Sequence, residues 1–486
     1  MRIKVVFHYL GILIGILGLS MLFPLACSIY YQESDLLVFV ISIAITLVSG
    51  LLLWKLFPVS EERLSQREAI MLVSGGWILA SAFGTLPYVL AGIFPSYLDA
   101  YFEAISGFTT TGATVLTDID SLRISHHGIL IWRSLTQWIG GMGIITLFVA
   151  LFPVLGIGAS FLVDAEMPGP QAERITARIR DTAKALWLVY FGFSGLEVIT
   201  LWIAGMPLFD AFSVTLSTMP TGGFTPTTLS VGAYNSVLIE GIIIFFMVLA
   251  GVNFALYYFL FWKHQPKRIL SNPEFQFYIL ILTGSTIFMA LNLINDMGLP
   301  VSEAFRYSSF QSVSIMTTTG FVTVNFDVWP AFSKVIMLCL MAIGASAGST
   351  GGAIKITRIM VLLKYAYRRI ILFFNPRVVL PIKIGKNIVP EGIISEIVGM
   401  SILYFGILVF GFILMSTVGL DQVSALSSVA ATLGNVGPGL GLVGPAANYL
   451  FIPALGKIIL IVCMLVGRLE LFTVLVLLTP SFWKWR

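Results

Sequence analysis

Ten apolar runs, near residues 5–30, 36–57, 69–93, 128–154, 185–206, 235–262, 275–294, 332–364, 392–418 and 449–479, leave this chain few ways to fold. Each reaches at least the roughly 20 residues that a helix needs to cross about 30 Å of hydrocarbon. In lipid, every backbone N–H and C=O must be satisfied within the protein, so only helices and closed barrels span a bilayer. Runs of this length select helices. Charged residues make up 11% of the chain, against about 25% in soluble domains, which excludes a soluble globular protein.

Charge placement sets the expected orientation. Lys355, Arg358, Lys364, Arg368, Arg369, Arg377, Lys383 and Lys386 fall in one stretch without a carboxylate, and basic loops of membrane proteins stay cytosolic. A nucleic-acid surface does not fit, because the stretch is interleaved with membrane-grade sequence. Lys263, Lys267 and Arg268, then Arg174, Arg178, Arg180 and Lys184, mark further cytosolic loops, and Arg2 and Lys4 put the N-terminus on the same side. Ten spans return Lys484-Trp485-Arg486 to the cytosol. The first run is too long for a signal peptide's apolar core and reads as a retained helix. Cys27, Cys339 and Cys463 lie in apolar runs without a CxxC or Cys/His cluster and read as buried packing thiols.

Within the external connections one short phrase recurs four times. Aligned on a small residue six before a glycine, the copies are Ser106 to Gly112 (SGFTTTG), Ser217 to Gly223 (STMPTGG), Ser314 to Gly320 (SIMTTTG) and Ala431 to Gly437 (ATLGNVG), spaced 111, 97 and 117 residues apart. Asp99, Asp210, Glu303 and Asp421 precede them, and an acid at a helix start caps orphan amides and complements the dipole. An 11-residue helix such as 99–109 is about 16 Å long, half the hydrocarbon thickness, so each segment dips in and returns. Non-helical backbone at that depth survives only buried in protein or lining a watery cavity. Four such returns around a pseudo-axis place carbonyls face to face, the geometry of a cation selectivity filter. The expected fold is an all-α membrane protein of four tandem helix–pore-loop–helix repeats around a pseudo-fourfold pore, plus an N-terminal helix pair. Its expected units are the pair (1–66), repeats at 67–163, 185–265, 266–365 and 391–486, and cytosolic linkers at 164–184 and 366–390.

Together with "WRSLTQWIGGMGI" (Trp132 to Ile144), "STMPTGGFTP" (Ser217 to Pro226), "LGNVGPG" (Leu433 to Gly439) and "GRLELFT" (Gly467 to Thr473), these phrases resemble the bacterial potassium uptake proteins of the Trk/Ktr/HKT superfamily, most closely the TrkH type. The resemblance covers nearly the whole chain. It implies potassium uptake rather than an enzyme, with K+ bound as the transported ion in a filter of Thr110, Thr111, Gly112, Ala113; Thr221, Gly222, Gly223, Phe224; Thr318, Thr319, Gly320, Phe321; and Asn435, Val436, Gly437, Pro438. No organic cofactor on this chain is implied. A bacterial inner (plasma) membrane location, a homodimer with one pore per protomer and a cytosolic TrkA-like nucleotide-binding regulatory ring are implied as well. The second strand departs from a threonine-rich pattern at Pro220 and Gly222, and the fourth at Asn435, Val436 and Pro438. That asymmetry implies looser selectivity than a symmetric tetramer has.

After the third copy comes "GASAGSTGG": Gly344, Ala345, Ser346, Ala347, Gly348, Ser349, Thr350, Gly351 and Gly352. So many glycines weaken a helix and leave an irregular intramembrane segment, which by the resemblance is a gate; a small-residue packing face is the other reading. Gly344 to Gly348 also matches the GxSxG pattern of serine hydrolases, but His8, His126, His127 and His264 all sit near span ends or in loops. Arg468, inside the last run, is a costly intramembrane cation. It reads either as a structural partner of Glu470 or Glu197 or, by the resemblance, as a cation projecting into the pore beside the gate. Glu197, Glu396, Arg133 and Gln137 read as interhelical partners. A sodium- or proton-coupled symporter of the same architecture would need paired midplane carboxylates, for which Glu197 and Glu396 are the candidates. No phosphate-binding loop is present, so nucleotide sensing falls to a partner docking on the basic segments 164–184 and 355–390, within a lipid-embedded assembly.

Overall fold

The computed structural model describes residues 2–59, 64–143, 179–385, 387–469 and 471–484. The end of the expected fourth span, most of the 164–184 linker with Arg174 and Arg178, and Lys386, Glu470 and Trp485-Arg486 lie outside the described residues. Among the described residues one antiparallel hairpin, Lys383–Ile384 with Asn387–Ile388, is the only sheet. All other regular structure among the described residues is helical.

Among the described residues, six segments are long and apolar enough to span a membrane: Ile3–Tyr31, Leu36–Leu56, Gln66–Leu90, Lys184–Ile203, Pro273–Met297 and Glu391–Thr417. The first breaks at Met21, because Pro24 has no N–H to offer the carbonyl of Ser20. The helices Ile3–Ser20 and Leu36–Leu56 pack as a pair with their backbones close. A Cβ on Gly11 would lie 2.7 Å from Gly50 O, and one on Gly50 would lie 2.7 Å from Gly11 O. Small residues allow this approach in a lipid environment, where packing rather than the hydrophobic effect joins helices.

The expected span 332–364 is interrupted at 344–352, and the runs 235–262 and 449–479 are not continuous either. The run 235–262 forms helices Val237–Ala250 and Phe254–Phe261, bent by 95°. The turn is stabilised where Asn253 caps the second helix through Ala255 N (2.9 Å) and Phe254 N donates to Gly348 O (3.0 Å). The last run forms Ala454–Arg468 and then Leu471–Leu477. Of the cysteines read as buried, Cys463 is buried, Cys27 half-buried and Cys339 exposed.

Four short helices, Tyr97–Phe108, Leu208–Thr218, Val301–Met316 and Gln422–Leu433, precede the four repeated phrases. Of the four acids expected to start them, only Asp421 is an N-cap, accepting from Val423 N and Ser424 N. Hydrogen bonding by Ser424, followed by the amides of the turn, holds its carboxyl below the usual carboxylate range. Ser96, Pro207 and Pro300 occupy the other caps, with Asp99, Asp210 and Glu303 in the first turns. Ser96 and proline suit those positions because one accepts from an orphan amide and the other lacks a hydrogen-bonding N–H.

Candidate ion-conduction site

Each short helix ends the same way. Thr111 N, Gly222 N, Thr319 N and Val436 N donate to Ser106 O, Ser217 O, Ser314 O and Ala431 O at 2.8–2.9 Å; the preceding residues Thr110, Thr221, Thr318 and Asn435 donate to Gly107 O, Thr218 O, Ile315 O and Thr432 O. This is the Schellman closure, which requires a left-handed residue at its turn. Those residues have φ of 53°, 58°, 62° and 53°. A β-branched threonine in that region is strained by roughly 1–3 kcal/mol and persists only where its surroundings dictate it.

Two residues on, Gly112, Gly223, Gly320 and Gly437 are left-handed as well, with φ of 79°, 83°, 78° and 98°. What lies beside them closes the four strands into a ring. A Cβ on Gly112 would meet Gly222 O at 2.2 Å, one on Gly223 would meet Thr319 O at 2.1 Å, one on Gly320 Val436 O at 2.0 Å, and one on Gly437 Thr111 O at 2.6 Å. Each glycine therefore faces the carbonyl of the residue before the next strand's glycine, and the fourth strand returns to the first. Glycine is required both for φ and for space. Behind the four strands Ala113, Phe224 and Phe321 are buried and Pro438 is half-buried.

Outside the ring, the units are tied to one another by charge and by backbone. Asp99 pairs with Lys457, Asp210 with Arg123, and Glu240 with Arg306 (2.7 Å), while Asp327 Oδ1 accepts from Gly441 N (2.8 Å). Glu103 and Arg133 form a fully enclosed pair (2.6 Å). The carboxylate also accepts from Thr114 Oγ1 and Val115 N, and the guanidinium donates to Thr225 O. That pair joins the outer ends of the first and second strands. Its members, with Gln137 and Tyr449 (hydroxyl to Gly437 O, 2.7 Å), are site residues missed by the sequence reading. Arg133 and Gln137 stood in a quoted motif, but their partners are dozens of residues away.

The overall fold is shared with known proteins. The TrkH family profile, described as a cation transport protein, matches residues 36–485. The chain belongs to the TrkH family of cation transport proteins. It is 36% identical over 488 residues to the Trk system potassium uptake protein TrkH of Halomonas elongata and 37% identical over 494 residues to that of Escherichia coli K12, with all of each chain covered. The crystal structure of the potassium transporter TrkH from Vibrio parahaemolyticus superposes over both whole chains with a TM-score of 0.90 at 36% identity.

Residues 344–352 run without regular structure between helices Ala331–Ile343 and Ile356–Phe374. They pack against the inner ends of the short helices. Thr350 Oγ1 donates to Met219 O (3.0 Å), Gly352 N donates to Thr318 Oγ1 (2.9 Å), and a Cβ on Gly352 would lie 2.5 Å from Gly434 O. Ser346 N donates to Gly251 O and Ala347 N to Glu274 Oε1. Arg468 reaches the same segment, donating to Thr350 O (2.8 Å), Gly140 O (2.6 Å) and Gly141 O (2.8 Å). Of the two carboxylates that a coupled carrier would bring together, Glu197 is buried and Glu396 exposed. His127 is engaged by Glu33 and His8 by Phe57 O.

Proposed function

We propose that the protein takes up potassium across the bacterial inner membrane, through a filter of backbone carbonyls at 110–113, 221–224, 318–321 and 435–438. The observation that carries this reading is the closed ring of four left-handed glycines, each against the next strand's carbonyl. Alternating left- and right-handed residues aim successive carbonyls to one side of a strand, and four such strands can replace an ion's hydration shell. The C-terminal ends of the four short helices point the same way and favour a cation. Potassium is assigned because the relatives are named potassium uptake proteins.

In this reading residues 344–352 are the gate and Arg468 holds it shut, since its donors meet both the gate at Thr350 and the wall at Gly140 and Gly141. A cation there also raises the barrier to permeation. Each protomer of a homodimer carries one pore, both termini face the cytosol, and a TrkA-like nucleotide-binding ring docks on the basic cytosolic surface.

Rubidium flux into proteoliposomes, with sodium as competitor, tests the filter. Serine at Gly112, Gly223, Gly320 or Gly437 should lower flux or relax selectivity. Unchanged preference in all four variants would sink the assignment.

A further inference from the structure

The four strands share one backbone and are braced in different ways. In the first and third, hydroxyls on either side of the left-handed residue bond each other, Thr109 to Thr111 (2.7 Å) and Thr317 to Thr319 (2.8 Å). In the fourth, Asn435 Nδ2 donates to Thr111 Oγ1 (2.9 Å) and Met464 O (3.1 Å). The second strand has Pro220 and Gly222 at the paired positions, so it cannot form the threonine brace, and Thr221 Oγ1 turns to the adjacent Pro220 O.

Gln137 fills that place. It is fully buried on helix His127–Gly141; its Nε2 donates to Gly222 O (2.6 Å) and its Oε1 accepts from Phe224 N (3.1 Å). The amide thus grips the backbone on both sides of Gly223. Its orientation is fixed by its partners, since a carbonyl only accepts and a backbone N–H only donates. One turn earlier, the Arg133 guanidinium lies 3.5 Å from the Phe224 ring centroid and holds the next residues. Gly222 itself is not left-handed. It is glycine for want of space, because a Cβ would come within 2.4 Å of Gln137 Cδ and 2.5 Å of Oε1.

We infer that Gln137 is the positioning residue of the second filter strand and a determinant of ion selectivity. The inference rests on the filter reading above. Selectivity depends on the number and field strength of the coordinating carbonyls and on how freely they move. The Gln137 N–H held against Gly222 O sets its own partial positive charge against that carbonyl's negative field and fixes its direction. A weaker, fixed field favours the larger, more easily dehydrated cation. Releasing the carbonyl strengthens its field, loosens the strand and admits sodium.

The test uses the full-length protein in proteoliposomes, with rubidium and sodium fluxes measured on the same preparation. Gln137→Met keeps the volume and removes donor and acceptor. It should retain the parent's elution profile while its rubidium-to-sodium flux ratio falls about tenfold, the scale of one buried hydrogen bond. A second arm reads the space argument: Gly222→Thr should abolish flux, and Gln137→Ala combined with Gly222→Thr should restore part of it. A parental flux ratio in Gln137→Met, or a double variant as inactive as Gly222→Thr alone, overturns the inference. Gly320→Ser run alongside separates the two levels. If it changes the ratio and Gln137→Met does not, only the role of Gln137 falls; if neither does, the filter falls with it.

Discussion

Replacing Glu103 with leucine should be among the most damaging single changes in this protein, for a reason that can be worked from its contacts. Glu103 is 0% exposed and the Arg133 side chain 3%, so neither charge can turn to water. Removing one member of such a pair strands the other, at about 3–5 kcal/mol. Glu103→Leu also orphans Val115 N and Thr114 Oγ1, adding about 1–3 kcal/mol for the buried amide. Arg133→Leu should cost less, because the carboxylate keeps two donors and can take up a proton. The double leucine variant should be more stable than Glu103→Leu alone, since an apolar pair replaces a buried ion pair at little net cost. Thermal unfolding in detergent, followed by size-exclusion recovery for all three variants and the parent, completes the cycle. Equal stability of the two single variants, or a double variant less stable than Glu103→Leu, would refute the reasoning.

The proposed gate and the proposed docking surface make separate predictions. Arg468→Ala removes the cation that ties Thr350 to Gly140 and Gly141, so in the gate reading rubidium flux should rise severalfold or more with ion preference unchanged. Deleting 345–349 should also raise flux; a stable deletion variant that conducts no better than the parent rejects the segment as a gate. For the partner, Arg368 is already paired with Glu391, whereas Arg369 and Arg377 are exposed. Charge reversal at Arg369 and Arg377 should therefore weaken co-purification of the regulator in a salt-dependent way, because exposed charges are screened beyond about 8 Å; binding that survives both reversals moves the docking site elsewhere.

Local chemistry made much of this protein legible from its residues alone. Apolar runs specify spanning helices because lipid offers no hydrogen bonds. The fourfold phrase marked where the four strands meet, because left-handed backbone selects glycine at Gly112, Gly223, Gly320 and Gly437. The break at 344–352 was equally visible, since helix propensity is a property of neighbours in sequence. Tertiary structure decided everything that depends on two distant stretches meeting. It turned Asp99 and Asp210 from caps into partners of Lys457 and Arg123, bent the chain at Asn253, paired Arg368 with Glu391, and set Gln137 against Gly222. A side chain's period along a helix tells which face it occupies but not what stands opposite. Gly222 carries the plainest case: its sequence neighbours suggest a flexible filter glycine, and only the fold reveals that its missing side chain is the room Gln137 occupies.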